Sequence, residues 1–163
     1  MTFRELRASD AARVLDAFTA DAAEMSRQGT VNDLDTARAY VSRMIDNADT
    51  RTLVAVDDAD RLLAFAAVTV DLANENGWVF YWAHPDARGR GVTSQLVRAL
   101  ADRELSEGGL YRLELGYRAN NPGSAAVARA AGFVQEGLER EKFLVEGKRI
   151  DVVTAARLKT DPV

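Results

Sequence analysis

The spacing of hydrophobic and polar positions changes repeatedly along the chain, and each change predicts an element. Thr2 to Arg7 reads as a short first strand, with Ser9-Asp10 placed to cap a helix after it. Val14, Leu15, Phe18, Ala22 and Met25 keep roughly helical spacing to about Ser26, and Gly29 breaks the run. A second helix starts near Asp33 or Asp35, with Ala37, Tyr40, Val41, Met44 and Ile45 on its apolar face. The pattern then turns to strands. Thr52–Val56 and Leu62–Leu72 flank a polar turn at Asp57–Asp60, and Trp78–Ala83 follows the turn Asn74–Gly77 as an aromatic, central strand. After a polar loop from Pro85 to Gly91, two adjacent i, i+4 rows (Val92, Leu96, Leu100 and Val97, Ala101, Leu105) predict a helix over Val92–Glu107, ended by Gly108-Gly109. Leu110–Tyr117 alternates as a strand. Ser124–Ala131 is a short helix stopped by Gly132. Leu138–Val145 and Ile150–Leu158 form a last hairpin around Glu146-Gly147-Lys148. The order βααβββαβαββ predicts an α+β fold with a mostly antiparallel sheet and one parallel crossover. Without repeat, low-complexity segment or linker, residues 1–163 are expected to form a single domain.

Composition narrows the chemistry. Hydrophobic residues make up 47% and charged residues 28%, as in a globular protein with one core. No apolar run is long enough to span a bilayer, and Met1-Thr2-Phe3-Arg4-Glu5-Leu6 lacks the apolar core of a secretory signal, so a cytoplasmic location and no membrane partner are expected. The net charge is −4 and no Lys/Arg block stands out, which argues against nucleic acid as a partner. A mildly acidic surface suits a cationic amine, among many other ligands. The chain has no cysteine and one histidine, His84, which removes disulfides, a Cys nucleophile, Cys-based zinc sites and multi-His metal sites. Positioning, backbone dipoles, hydroxyls and carboxylates are left to do the work.

The most informative stretch is Arg88-Gly89-Arg90-Gly91-Val92-Thr93-Ser94, where a strand leads through a loop with two glycines directly into a helix. The first turn of a helix offers unpaired N–H groups and the positive end of its dipole, and glycines let a ligand approach the backbone. That combination suits a pyrophosphate; the same two glycines also suit an ordinary turn. Neither an early G-x-G-x-x-G nor a G-x-x-x-x-G-K-[ST] is present.

Arg88-Gly89-Arg90-Gly91-Val92-Thr93 resembles the Q/R-x-x-G-x-G/A motif of the GNAT superfamily of acyl-CoA N-acyltransferases, with Thr93 where Gly or Ala is usual. Asn121-Pro122-Gly123-Ser124, Gly132-Phe133, Glu136-Gly137 and Asp151 are similar to a second signature, that of the ribosomal-protein N-terminal (serine/alanine) acetyltransferases in that superfamily. The resemblance covers nearly the whole chain. It implies an N-acetyltransferase that uses acetyl-CoA as cosubstrate, needs no metal, and acetylates a primary amine, either a protein N-terminus or a small molecule, by direct attack in a ternary complex. Homodimers are common in the subgroup, although nothing in this sequence demands one.

The resemblance also assigns roles. Strands four and five would part around the pantetheine arm, near the backbone of Trp82 and Ala83. The pyrophosphate would meet the N–H groups of Arg88, Gly89, Arg90, Gly91, Val92, Thr93 and Ser94. Asn121 would bind the pantetheine arm, or serve only as a turn residue before Pro122. Ser124 is the implied proton donor, or else a helix cap. The superfamily's usual tyrosine, four residues before Gly-Phe, is Ala128 here. The general base is open: Gly77-Trp78 offers no carboxylate, Glu75 lies in a turn, Glu141 lies near Phe143, and water is an alternative. His84 is read as structural or solvent-facing. Trp78, Tyr81 and Trp82 either line an acceptor pocket or belong to the core. Two other functions stand beside the enzyme: a CoA-holding module without turnover, and an unrelated α+β module that binds no CoA.

Overall fold

The computed structural model describes residues 1–162; Val163, the last residue of the expected domain, lies outside them. Seven strands form one sheet in the order β1-β2-β3-β4-β5-β7-β6. They are β1 (Thr2–Arg4), β2 (Thr50–Val56), β3 (Leu62–Asp71), β4 (Asn76–Ala83), β5 (Arg112–Arg118), β6 (Val134–Val145) and β7 (Lys148–Leu158). The helices are α1 (Ala11–Ala20), α2 (Ala22–Met25), α3 (Leu34–Asp46), α4 (Val92–Ser106) and α5 (Pro122–Ala130). All strand pairs are antiparallel except β4 with β5, the parallel crossover carried by α4. The α+β architecture is the expected one.

The sheet is covered on both faces. Leu96, Val97 and Leu100 of α4, with Val127 and Ala128 of α5, pack on one face against Val68, Val79, Leu113 and Leu115. Val14 and Phe18 of α1, with Tyr40 and Val41 of α3, pack on the other against Val54, Phe65 and Trp82. Burial on both faces explains why β3 reads as a nearly unbroken apolar run and not as an alternation. The second face is tied by aromatic contacts: Trp82 stacks on Phe65 at 5.5 Å between centroids, and its indole N–H donates to the Tyr40 hydroxyl at 3.1 Å. Trp82 is therefore a core residue by its side chain.

Four expectations about the elements are corrected. The helix predicted through Ser26 is two helices, because Asp21 leaves helical geometry (φ −147°, ψ 64°) and its carboxylate accepts the Glu24 N–H instead. Ala22 is consequently exposed, although its spacing matched the apolar face. Asp10 precedes α1 but its side chain does not cap it: the carboxylate accepts from the Arg7 N–H at 2.8 Å and from Arg4, which also shortens β1 to Thr2–Arg4. The β6 strand starts at Val134, not Leu138, because an edge strand exposed on both faces needs no hydrophobic alternation. It bulges between Glu139 and Phe143, where Glu141 takes φ 54°.

The feature that shapes the site is the brevity of the β4–β5 pairing. Only Asn76, Gly77 and Trp78 pair with Arg112, Leu113 and Glu114. Beyond them β4 continues along β3 to Ala83, and β5 continues along β7 to Arg118. The sheet is thus two halves joined at one short seam, with α4 and α5 bridging them from one face. Gly77 makes the seam tight: a Cβ there would overlap Val68 Cγ2 and stand 2.9 Å from both Leu110 and Leu113. Gly77→Ala should cost about 1–3 kcal/mol by overpacking and lower Tm by roughly 3–10 °C. A thermal melt indistinguishable from the parent would show that the seam tolerates the extra carbon.

Candidate active site

Where β4 and β5 part, a cleft of about 780 Å³ opens between them. Its direction relative to β4 is set by strand phase. The His84 N–H donates to the Leu63 carbonyl, so even-numbered residues of β4 turn their backbone groups toward β3. Val79, Tyr81 and Ala83 turn theirs toward β5; Val79 adjoins the last bridge of the seam, and beyond it no strand answers Tyr81 and Ala83. The groups left open in the gap are therefore the Tyr81 N–H and carbonyl and the Ala83 N–H, the Ala83 carbonyl being taken by Arg88; those of Trp82, expected to contribute, face β3.

One end of the cleft is the start of α4. Gly91 is its N-cap in the left-handed conformation (φ 74°), and Gly89 takes φ 70°, a region where a side chain would be strained. The first intrahelical bond runs from the Gln95 N–H to the Gly91 carbonyl, which leaves the N–H groups of Val92, Thr93 and Ser94 without helical partners. No side chain caps them and no acidic residue sits in the first turn. This is the arrangement that attracts an anion. Ten of the eleven residues singled out in the sequence line the cleft: Trp82, Ala83, Arg88, Gly89, Gly91, Val92, Thr93, Ser94, Asn121 and Ser124. Arg90 is exposed and is not part of its wall.

The other end is the start of α5. The Asn121 side-chain oxygen accepts the Ser124 N–H at 3.0 Å, so Asn121 is the N-cap and Ser124 is the third helical residue. The capping role considered for Ser124 thus falls to Asn121, whose Nδ2 is left for a ligand. The Ser124 side chain is half-buried on the cleft wall.

The sequence pointed to no particular site residue on the third wall, α2. Asp21 takes a guanidinium hydrogen bond from Arg88, which also donates to the Ala83 carbonyl at 3.3 Å. Glu24 receives Arg118, at the end of β5, on both carboxylate oxygens at 3.1 and 3.0 Å. The short helix is therefore pinned by one ion pair to each side of the gap. The Arg88 guanidinium holds the Asp21 carboxyl below the usual carboxylate range, helped by the Glu24 N–H. Tyr81, expected either to line an acceptor pocket or to belong to the core, is on the cleft wall; it points its ring to the α4/α5 side and brings its hydroxyl 3.4 Å from the Ser124 carbonyl. Burial pushes its phenol up to about 12.

The carboxylates considered as bases lie elsewhere. Glu75 sits in the turn at the opposite end of β4, roughly 26 Å of strand from Ala83. Glu141 is exposed in the β6 bulge, its N–H bonded to Asp151 at 2.7 Å. His84 is structural: the buried imidazole lies 3.1 Å from Asp16 on α1 and 2.7 Å from Asp86. Trp78 is 44% exposed and is not part of the cleft wall.

Residues 1–134 match the acetyltransferase (GNAT) domain family, and the chain belongs to that family. Among curated proteins it is 30% identical over 89 residues to the probable N-acetyltransferase YjcK of Bacillus subtilis, covering 55% of this chain and 49% of that protein. It is 29% identical over 89 residues to the ribosomal-protein-serine acetyltransferase of Escherichia coli, covering 55% and 50%. The chain spans about half the length of the curated relatives it matches. Among solved structures, the RimL ribosomal L7/L12 alpha-N-protein acetyltransferase in complex with coenzyme A superposes with a TM-score of 0.84 at 20% identity, over 96% of this chain and 92% of that one. A dodecameric spermidine N-acetyltransferase from Vibrio cholerae gives 0.81 at 19% identity, over 98% and 94%. At these identities the structural likeness establishes the fold.

The capping assignment separates two neighbouring residues. Asn121→Ala should lower stability by about 1 kcal/mol through loss of the cap, a Tm drop of roughly 2–4 °C. Ser124→Ala should leave Tm unchanged. Equal melting of both variants and the parent would remove Asn121 as the cap.

Proposed function

We propose that this domain, residues 1–163, transfers an acetyl group from acetyl-CoA to a primary amine by direct attack in a ternary complex. The observation that carries the reading is the meeting of three features on one cleft: the open start of α4 behind Gly89 and Gly91, the unanswered N–H groups of Tyr81 and Ala83, and the capped start of α5. The cleft volume falls within the range of about 300–1,000 Å³ typical of small-molecule sites.

Each feature suits one part of acetyl-CoA. The N–H groups from Gly89 to Ser94 receive the pyrophosphate. The Tyr81 N–H and carbonyl and the Ala83 N–H, with Asn121 Nδ2, pair with the amides of an extended pantetheine arm. A β4 N–H facing the gap stabilises the oxyanion that forms when the amine attacks the thioester carbonyl. Attack by the amine itself needs no enzyme nucleophile, in keeping with a chain that has no cysteine. The acceptor is a peptide N-terminus or a small amine, as for the relatives named above, and it enters beside α2. The Ser124 hydroxyl sits where it can meet the sulfur.

Thermal shift tests the binding half. Saturating acetyl-CoA at a hundred times Kd should stabilise the fold by about 2.7 kcal/mol, and no movement of Tm would refute the reading. Thiol release with a panel of amines and N-terminal peptides tests the transfer half; binding without release under any acceptor would make the domain a CoA-holding module instead. Ser124→Ala should lower turnover more than acetyl-CoA affinity, and unchanged turnover would take its hydroxyl out of the chemistry.

A further inference from the structure

We infer that the Tyr81 hydroxyl hydrogen-bonds the sulfur that leaves during acetyl transfer and supplies its proton. This deepens the acetyltransferase reading above and rests on it.

Position comes first. Tyr81 lies in the part of β4 that has lost β5, so its own peptide group points into the gap in the plane of the sheet. Its ring stands on the α4/α5 face and spans the distance from β4 to the first turn of α5. A ligand arm paired with the Tyr81 peptide group therefore runs beside the Tyr81 ring. The contact that holds the hydroxyl is loose. At 3.4 Å the bond to the Ser124 carbonyl is well beyond the usual 2.7–2.8 Å for O–H···O. A phenol rotates its single proton freely toward a better acceptor, and a sulfur gaining negative charge is one.

Chemistry then selects among the groups on the wall. Thr93, Ser94 and Ser124 carry aliphatic hydroxyls and Asn120 and Asn121 carry amides, none of which titrates. Arg88 and Arg118 are committed to Asp21 and Glu24. Tyr81 is the neutral acid of the cleft. With its phenol pushed up to about 12 by burial, it keeps its proton across the neutral range and enters the reaction as a donor.

The step balances without a further reactant. The amine nitrogen forms a bond to the acetyl carbon, the C–S bond breaks, and sulfur takes the electron pair. The Tyr81 O–H gives its proton to sulfur while the phenol oxygen recovers one from the attacking nitrogen through water. One proton has moved from nitrogen to sulfur, and Tyr81 is unchanged. A concerted relay matters because the buried phenol is a weaker acid than a thiol, so a free phenolate is never formed.

The experiment uses Tyr81→Phe. Its kcat should fall by about a hundredfold, the lower end for loss of a positioned acid, while KM for acetyl-CoA and the CoA-induced rise in Tm stay within about twofold of the parent. Ser124→Ala, which retains the carbonyl, should lose much less. A second measurement needs no acceptor. The thiol of bound CoA, followed by thiolate absorbance, should titrate at lower pH in the parent than in Tyr81→Phe, because only the parent donates a hydrogen bond to the thiolate. Unchanged kcat, or coincident thiol titrations, would overturn the inference. Should Tyr81→Phe fail to fold, a fluorinated tyrosine at position 81 keeps the ring but has a more acidic phenol. Turnover should then be lost at a lower pH than in the parent, and an unmoved alkaline limb would equally overturn it. If the parent itself gains no stability from CoA, the acetyltransferase reading fails and not this refinement of it.

Discussion

The structure turns on how little of β4 is paired with β5. Three residues on each strand hold the two halves of the sheet together, and everything that looks like a site lies just past them. A longer parallel ladder would satisfy the backbone of Tyr81 and Ala83 and close the cleft. A shorter one would leave the halves joined only through helices. The seam is kept short on one side by the divergence of β5 along β7, and kept tight on the other by Gly77, which lets Val68, Leu110 and Leu113 close over it. The core beneath α4 continues across the parting, with Val79 on one half and Leu113 and Leu115 on the other. The gap is therefore a fixed feature of a packed molecule.

Charge is distributed to match. The mouth of α4 carries unpaired N–H groups and no nearby acid in its first turn. The carboxylates that do reach the cleft, Asp21 and Glu24, are each matched by an arginine from an opposite wall. Partly exposed ion pairs of this kind contribute little stability. Their effect is geometric: they seat a four-residue helix that could not hold itself over the opening.

Much of this was legible beforehand because burial writes itself into spacing. The two adjacent rows of α4 are apolar because the helix packs on the sheet and also on α5, and its limits came out within a residue. The Arg88–Ser94 junction was legible because a left-handed N-cap and a left-handed loop position both call for glycine. The break at Asp21 was not, since Ala22 and Met25 keep helical spacing across it and only the capping bond to Glu24 reveals the restart. With α2 went its cleft residues. Strand alternation says that Tyr81 and Trp82 face opposite sides, but not which side holds the core and which the gap. That depends on where β5 leaves, a long-range fact no local pattern carries. Arg90 fails for a related reason: loop residues of the same type two apart can point to different places, and only Arg88 turns inward.

The proposed cosubstrate site joins the parted strands to the start of α4. Amide hydrogen exchange with and without coenzyme A tests it most directly. Exchange should slow at Tyr81, at Ala83 and from Gly89 to Ser94 together, because these are the N–H groups left open to a ligand. Protection that misses them, or that gathers at the smaller cavity around Arg51 and Arg103 near the C-terminal end of α4, would contradict that site.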